Sequence, residues 1–210
     1  MVKNKVTIVD YGLGNVRAFY NLYKRLNISV SIARTPEDLS KSTKLILPGV
    51  GSFDWAMEKL NNSGMLNKLN EMVLEKNIPV FGVCVGMQMM ANSSEEGDLP
   101  GLGWIDAKVK KFTDTNQISE LRLPLPHMGW NEVIPDYEHE LFDNLHNPLF
   151  YFLHSYYFEP TNKEQTLACS FYGKNFASAA INKNVIGVQF HPEKSHHSGM
   201  QMLKNFSRMQ

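Results

Sequence analysis

The sequence has little cysteine, no net charge and no long apolar run. Of its 210 residues only Cys84 and Cys169 are cysteines, and neither belongs to a CxxC pair. A disulfide scaffold or a structural zinc site is therefore not expected, and a reducing compartment suits the chain better. Lysine and arginine total 21, as do aspartate and glutamate, which gives no support for binding nucleic acid or an acidic membrane. No run of 18 apolar residues and no N-terminal signal segment occurs, which predicts a soluble cytoplasmic protein.

Short apolar runs alternate with helical patterns through the first half of the chain. Strands are predicted at residues 5–10, 30–33, 45–47 and 80–83. Helices are predicted at 16–26, with Asn15 as the N-cap, and at 53–60 and 65–75. This alternation is typical of a parallel sheet with right-handed crossovers. Ligands bind beyond the carboxyl ends of such strands, where the glycine turns 12–14, 49–51 and 82–86 are expected.

The second half is richer in strand patterns. Strands are predicted at 104–112, 128–133, 150–152, 156–159, 166–172, 177–182 and 185–190, and a final helix at 198–208 with Met202, Leu203 and Phe206 on its apolar face. There is no internal repeat, low-complexity tract or obvious linker. We therefore expect a single α/β domain with a mixed, mainly parallel central sheet flanked by helices.

The segment 80–88 combines a buried-strand pattern with a cysteine and the start of a helical pattern. Residues 80–83 end at Cys84, and Gly82 and Gly86 flank it. A strand, a sharp turn that carries a nucleophile and a helix form a nucleophile elbow, in which glycines relieve crowding. The helix N-terminus stabilises a thiolate and offers free N–H groups to an oxyanion. Cys84 is therefore predicted to be a nucleophile rather than a small buried hydrophobe.

A second apolar run, at 185–190, is followed by His191, Pro192 and Glu193. The proline fixes the backbone between a candidate base and a candidate acid. Cysteine, histidine and carboxylate together are typical of acyl transfer through a thioester. His154 is the alternative base, and the sequence alone does not exclude it.

Two other glycine turns have competing interpretations. The segment 12–15 begins like a dinucleotide-binding loop, but Arg17 stands where that loop requires a third glycine, which favours a tight turn. The segment 48–51 is either a simple turn or, beside a thiol nucleophile, a source of an oxyanion N–H. In the second case the region of Gly51 would act together with the N–H of Val85.

The environments of two aromatic segments remain open. The segment 126–131 contains Trp130 beside Asn131, which fits a partner interface if Trp130 is exposed and an ordinary core if it is buried. The segment 151–157 fits an aromatic core strand or the wall of a pocket. His196 and His197 are adjacent, but no third ligand is marked, so no metal site is expected. No cofactor is expected either.

Two of these motifs resemble a known family. The segment 82–88, Gly-Val-Cys-Val-Gly-Met-Gln, together with His191-Pro192-Glu193, resembles the class-I (triad) glutamine amidotransferases. Within that family, the segments 47–51, 126–131, 152–156 and 189–195 resemble the HisH group, the glutaminase subunits of imidazole glycerol phosphate synthases. The resemblance covers nearly the whole chain. It implies a flavodoxin-like fold in one type-1 glutamine amidotransferase domain over residues 1–210.

The resemblance implies a glutaminase in which Cys84 attacks the side-chain amide of glutamine. His191 would serve as base and then acid, and Glu193 would orient the imidazole. Ammonia leaves first, and water then releases glutamate. The implied oxyanion donors are Gly51 and Val85. The implied substrate-binding residues are Gln88, Glu96, Ser155 and Tyr156. The implied partner-facing residues are Asn15, Trp130, Asn131, Tyr151 and Lys194.

The resemblance also implies a heterodimer. Ammonia would pass to a (β/α)8-barrel cyclase subunit of the HisF type, which makes imidazole glycerol phosphate and AICAR in histidine biosynthesis. The glutaminase would be nearly silent until the cyclase binds its own substrate. Rearrangement of the segment 48–51 would accompany activation, and glycines on both sides of Val50 permit it.

Three alternatives remain. Val85, where leucine is more usual, and the pair His196-His197 are similar to HisH-like paralogues that supply ammonia for acetamidino sugars in surface-polysaccharide biosynthesis. A non-catalytic regulatory homologue would be expected to have lost a triad residue, and all three are present. A cysteine peptidase or deglycase of related architecture would also use an elbow cysteine, but it would give no reason for Trp130-Asn131 or for the His-Pro-Glu motif.

Overall fold

The computed structural model describes residues 5–112 and 123–209. Its strands are β1 Val6–Val9, β2 Val30–Ala33, β3 Lys44–Gly49, β4 Val80–Cys84, β5 Ser93–Ser94, β6 Ala107–Lys111, β7 His127–Glu132, β8 Ile134–Pro135, β9 Leu149–His154, β10 Tyr156–Pro160, β11 Thr166–Phe171, β12 Asn175–Asn182 and β13 Val185–Val188. Its α-helices are α1 Val16–Arg25, α2 Pro36–Leu39, α3 Phe53–Asn62, α4 Leu66–Asn70, α5 Val85–Gln88 and α6 His196–Arg208.

The main sheet has the strand order β2-β1-β3-β4-β13-β12-β10-β6-β5. The first five strands in that order are parallel to their neighbours, and the sheet continues through antiparallel pairs from β13 to β6. Strands β11 and β8 extend it from β12, and β7 pairs with β9 in a separate antiparallel ribbon. The predicted α/β fold with a mixed, mainly parallel central sheet flanked by helices is confirmed.

The apolar runs of the sequence become the buried strands of this sheet. Every residue of β1, β3, β4 and β13 is buried, as expected for parallel strands that are covered on both faces. The parallel pairs β3–β4 and β4–β13 bring the carboxyl end of β4 between those of its neighbours. Cys84 therefore lies at the middle of one sheet edge, where the sequence predicts the ligand site.

The helices bury the apolar faces that the spacing of their hydrophobic residues predicts. Helix α1 buries Phe19 and Tyr23, and α6 fully buries Met202, Leu203 and Phe206. The two helices are joined directly, because the Tyr23 hydroxyl donates to the Leu203 carbonyl over 3.2 Å. Aliphatic and aromatic burial of this kind stabilises by about 1.5–3 kcal/mol per side chain.

Two of the differences between predicted and observed elements concern Pro48 and the helix that follows Met65. The strand predicted at 45–47 continues to Gly49, and Pro48 pairs with Val83 at its end, where a missing N–H disrupts little of the ladder. The helix predicted at 65–75 is α-helical only to Asn70 and continues as a π-helix over Glu71–Glu75. The spacing of hydrophobic residues predicts a helix, but it does not distinguish the hydrogen-bond pattern of a short π-helix from that of an α-helix.

Candidate active site

Cys84 occupies a sharp turn between β4 and α5. Its backbone angles are φ +56° and ψ −115°, which non-glycine residues rarely adopt. The turn depends on glycine, since a Cβ on Gly86 would lie 2.0 Å from the Leu47 carbonyl oxygen. The predicted strand, cysteine and helix are therefore arranged as an elbow, and helix α5 packs directly on β3.

His191 and Glu193 follow β13, the strand beside β4. The Nδ1 of His191 donates to Oε1 of Glu193 over 2.9 Å, and both side chains are almost fully buried. Burial opposes protonation of the imidazole, but hydrogen bonds and charge from Cys84 and Glu193 outweigh it and raise the pKa of His191 to about 10. The structure thus brings Cys84 and His191 to one cavity at the sheet edge, with the imidazole hydrogen-bonded to the carboxylate of Glu193.

Asn15 contacts this triad from the opposite end of the sequence. Its Nδ2 donates to Oε1 of Glu193 over 2.7 Å, the same oxygen that accepts from His191. Asn15 does precede α1 as predicted, but its side chain makes no capping hydrogen bond. The side-chain hydrogen bond that it does make is the one from Nδ2 to Glu193. The partner-facing role implied for Asn15 stays a prediction.

His154, the alternative base, has both ring nitrogens occupied away from the thiol. Its Nδ1 lies 2.8 Å from the Tyr156 carbonyl oxygen, and its Nε2 lies 2.9 Å from Nδ1 of His127. Neither nitrogen is left to take a proton from Cys84. The geometry therefore favours His191 over His154 as the base.

A cavity of about 350 Å³ opens beside Cys84. The triad members Cys84 and His191 line it, together with both predicted oxyanion donors and all four predicted substrate-binding residues. Gly51 has φ +87°, which favours glycine, and Val85 begins α5, so its N–H has no acceptor within the helix. The fold therefore gathers around one cavity the residues to which the resemblance assigns these roles, and the roles themselves stay predictions.

Gln88 is held at the floor of this cavity by an amide network. Its Nε2 donates to the Tyr156 carbonyl over 3.2 Å and to Oε1 of Gln189 over 3.1 Å. Gln189 in turn donates from Nε2 to the Cys84 sulfur over 3.8 Å. The sequence analysis did not assign Gln189 to the site. The signal available in the sequence was a glutamine directly after an apolar strand pattern. Gln189 is fully buried in the structure, and buried amides need hydrogen-bond partners.

Glu96 reaches the cavity from the turn that follows β5. Its Oε2 accepts from the backbone N–H of Phe53 over 2.8 Å, at the start of α3. Burial raises the pKa of Glu96 despite that hydrogen bond, and the charge of Asp54 adds to the shift. Among residues 5–112 and 123–209, no group hydrogen-bonds to the second carboxylate oxygen, Oε1, and would so compete with a ligand in the cavity.

An exposed apolar ribbon lies on the outer face of β7 and β9. We define the apolar ribbon as Met128, Trp130, Leu149, Tyr151 and Leu153. Trp130 is 48% exposed, which answers the question that the sequence left open. It stacks on His196 at a centroid distance of 5.2 Å and meets Tyr151 edge-on at 6.1 Å.

The apolar ribbon is joined to the catalytic edge through its backbone. The N–H of His191 donates to the Tyr151 carbonyl over 2.8 Å, and the Tyr151 N–H donates to Oγ of Ser195 over 3.0 Å. The Cys84 thiol points to the Leu153 carbonyl at 4.0 Å. Of the other predicted partner residues, Lys194 lies with its Nζ 5.6 Å from the Tyr151 ring, whereas the Asn131 amide turns inward.

The two buried histidines His127 and His154 make the fold sensitive to acid. Burial lowers the pKa of His127 to about 4 and, with repulsion from His127, that of His154 to about 3. The unfolded chain takes protons near pH 6.5, so their contribution to stability is complete above that pH and is lost as pH falls towards 4. Urea unfolding at stepped pH should show the free energy of unfolding falling by up to about 1.4 kcal/mol per pH unit for each histidine. A H127L variant should show a shallower slope, and an unchanged slope would contradict this assignment.

Residues 5–112 and 123–209 contain no group of three or more His, Cys, Asp or Glu side chains that could hold a metal ion. Within the same ranges, no helix has the length and apolar character needed to cross a membrane.

Sequence comparison identifies close relatives over the full length. The profile of the class-I glutamine amidotransferase family matches residues 7–209. A protein of Bdellovibrio bacteriovorus named imidazole glycerol phosphate synthase subunit HisH is 54% identical over 205 residues, covering 97% of this chain and 100% of that protein. A protein of Leptospira interrogans with the same name is 50% identical with the same coverage. One of Pseudomonas aeruginosa named HisH 2 is 44% identical, covering 96% of this chain and 98% of that protein.

Solved structures share the fold at lower identity. A crystal structure described as a glutamine amidotransferase superposes with a TM-score of 0.73 at 20% identity, covering 96% of this chain and 98% of the other. A putative GMP synthase subunit from Thermoplasma acidophilum superposes with a TM-score of 0.70 at 19% identity, covering 97% and 92%. These two similarities describe the architecture alone.

Proposed function

The chain belongs to the class-I glutamine amidotransferase family, and on that basis we propose that it is the glutaminase subunit of an imidazole glycerol phosphate synthase in histidine biosynthesis. The observation that carries the proposal is the buried Cys84–His191–Glu193 arrangement at the mouth of a cavity of substrate size. The names of the relatives favour histidine biosynthesis over the amidation of sugars.

The triad performs hydrolysis in two steps. His191 takes the thiol proton of Cys84 while the sulfur attacks the side-chain carboxamide carbon of glutamine, and the N–H groups of Gly51 and Val85 stabilise the oxyanion. The C–N bond then breaks, His191 gives its proton to the leaving ammonia, and a glutamyl thioester remains. His191 next takes a proton from water, which attacks the thioester and releases glutamate and the thiol. Glu193 stabilises the imidazolium and Asn15 holds Glu193.

The cavity supplies complementary groups for the ends of the substrate. Glu96 provides a carboxylate for the α-ammonium group of glutamine, and the backbone of Ser155 and Tyr156 together with Gln88 frames the rest. Because the Phe53 N–H binds Oε2 of Glu96, the carboxylate is already oriented before substrate arrives.

Replacing Glu96 with glutamine should raise KM for glutamine and leave kcat nearly unchanged. The amide oxygen can still accept from the Phe53 N–H, so only the negative charge is removed. A charge-assisted hydrogen bond contributes about 1.5–3 kcal/mol, so KM should rise about 10- to 100-fold. Steady-state kinetics decide this, and a fall in kcat at constant KM would assign Glu96 a different role.

The apolar ribbon offers the surface for the partner. Exposed contiguous apolar side chains beside an active site are typical of an interface, and aromatic anchors contribute most of the binding energy. We assign the ribbon to a (β/α)8-barrel cyclase of the HisF type, which receives the ammonia. Contacts there bear directly on the triad, since the Tyr151 backbone holds the N–H of His191 and the hydroxyl of Ser195.

Replacing Trp130 with alanine should weaken binding to the cyclase about 30-fold or more with little loss of stability. A buried aromatic anchor contributes about 2 kcal/mol or more to an interface, whereas an exposed side chain contributes little to folding. Calorimetric titration measures the affinity, and a melting scan measures stability. Leu74, which is 55% exposed and outside the ribbon, provides the control variant L74A. A large fall in Tm with unchanged affinity would contradict the interface.

The proposed function is tested by glutamate release. The purified chain alone should hydrolyse glutamine slowly, and an equimolar HisF-type cyclase with its ribotide substrate should stimulate the reaction strongly. Absence of stimulation by that cyclase, with activation by the cyclase paralogue of a sugar-modifying pathway, would overturn the assignment to histidine biosynthesis. Absence of any glutamine hydrolysis, with or without the cyclase, would overturn the assignment of this chain as a glutaminase.

A further inference from the structure

A pair of buried histidines lies beside the triad and takes no part in the chemistry proposed for it. His127 and His154 pair in register across β7 and β9 and are 3% and 6% exposed. The Nδ1 of His127 lies 2.9 Å from Nε2 of His154, Nδ1 of His154 lies 2.8 Å from the Tyr156 carbonyl oxygen, and Nδ2 of Asn131 lies 3.3 Å from Nε2 of His127. These contacts form a continuous chain of hydrogen bonds.

The groups at the two ends of this series of hydrogen bonds determine which atom donates and which accepts at each step. A carbonyl oxygen only accepts, so His154 must donate from Nδ1, and its Nε2 is then an acceptor in the neutral ring. His127 must therefore donate from Nδ1, which leaves its Nε2 to accept from the Asn131 amide. Both rings are neutral Nδ1–H tautomers, in keeping with the lowered pKa that burial imposes on each.

This series of hydrogen bonds runs from Asn131, beside the apolar ribbon, to the floor of the cavity. The Tyr156 carbonyl at its inner end also accepts from Nε2 of Gln88 over 3.2 Å. Asn131 at its outer end follows Trp130 in β7, donates to the Phe171 carbonyl over 2.8 Å and accepts from the Glu132 N–H over 2.8 Å. The amide of Asn131 is thus held on three sides next to the surface assigned to the partner.

Packing prevents either ring from leaving its place. His127 is stacked between Phe152 and Tyr172, at centroid distances of 4.8 Å and 4.0 Å, and His154 contacts Phe112 and Phe176 at 5.5 Å and 5.3 Å. Two apolar side chains would fill this space without the cost of burying polar nitrogens. A role in packing alone therefore gives no reason for two histidines here.

We propose that His127 and His154 are positioning residues for glutamine hydrolysis, which hold the Tyr156 carbonyl and through it Gln88 in register with the surface at Asn131. This inference rests on the proposed function. Displacement of a substrate-binding group by about 1 Å costs up to about 100-fold in rate. The two histidines can therefore affect the rate of hydrolysis without touching the substrate.

Variants of His127 separate positioning from packing. H127N keeps a donor near the place of Nδ1 and so preserves the bond to His154, whereas H127L removes it. F176L disturbs the same core, since Phe176 contacts both rings and makes no hydrogen bond through its side chain. Melting scans and glutamine kinetics with the HisF-type cyclase and its substrate are measured for all three.

With H127L, kcat/KM for glutamine should fall about 10- to 100-fold, and H127N should recover most of it. F176L should lower Tm at least as much as H127L while retaining more activity. Nitrogen-15 NMR of labelled histidine in the wild-type chain should show Nδ1–H tautomers for both rings. Activity of H127L within twofold of wild type, losses that follow Tm across the three variants, or an Nε2–H tautomer at either ring would overturn the proposal. Failure of the proposed function differs from these results, because the wild-type complex would then not hydrolyse glutamine.

Discussion

Replacing Cys84 with alanine should reduce glutamine-dependent synthesis by the complex at least about 1,000-fold, with ammonia-dependent synthesis retained. In the proposed mechanism the sulfur forms the thioester, and the methyl group of alanine cannot replace it. Free ammonia at alkaline pH bypasses that step and would reach the proposed cyclase partner directly. The measurement is product formation by the reconstituted complex with glutamine and, separately, with an ammonium salt.

The second cysteine supplies a matched control for that variant. Cys169 lies on β11, where burial and the nearby charge of Asp136 raise the pKa of its thiol to about 11. C169A should retain glutamine-dependent activity. Retained glutamine-dependent activity in C84A would contradict the assignment of Cys84 as the nucleophile. Loss of ammonia-dependent synthesis in the same variant would mean that this subunit does more than supply ammonia.

Replacing Gly86 with alanine should destabilise the protein by about 3 kcal/mol or more, or prevent it from folding. The added Cβ would lie 2.0 Å from the Leu47 carbonyl oxygen, so helix α5 would have to move away from β3. That movement would also displace Cys84. Chemical denaturation gives the free energy of unfolding, and the yield of folded protein covers the case of failure to fold.

Gly64 provides the comparison for the Gly86 variant. It has φ +73° and nothing within 4 Å of an added Cβ, so G64A tests backbone strain without a clash. That strain costs about 1 kcal/mol. If G86A were no less stable than G64A, the close approach of α5 to β3 would not be what requires glycine at the elbow.

Several features of the site were accessible from the sequence because they are local. The apolar run before Cys84, the glycines around it and the proline between His191 and Glu193 each constrain neighbouring backbone, and the structure has the turns that they predict. The burial of α1 and α6 was accessible for the same reason, since helical spacing selects one face. The roles assigned to the site residues by resemblance remain predictions.

Contacts across long stretches of sequence were not accessible. Asn15 and Glu193 are separated by 178 positions, and nothing near Asn15 indicates that its amide binds a carboxylate instead of capping α1. Gln189 belongs to an apolar strand by pattern, and only the pairing of β13 with β4 brings it to the thiol. The exposure of Trp130 depends on which face of β7 is covered, and alternation alone does not decide that.

The class of fold, the elbow and the order of the candidate nucleophile, base and acid follow from local sequence, because hydrophobic period, glycine and proline act on the adjacent backbone. Only the folded chain shows that His191 is bound to Glu193, which amides contact the triad residues and which face of the paired strands β7 and β9 meets solvent. Those outcomes depend on strand order and register, and they are fixed by the packing of the whole chain around Cys84.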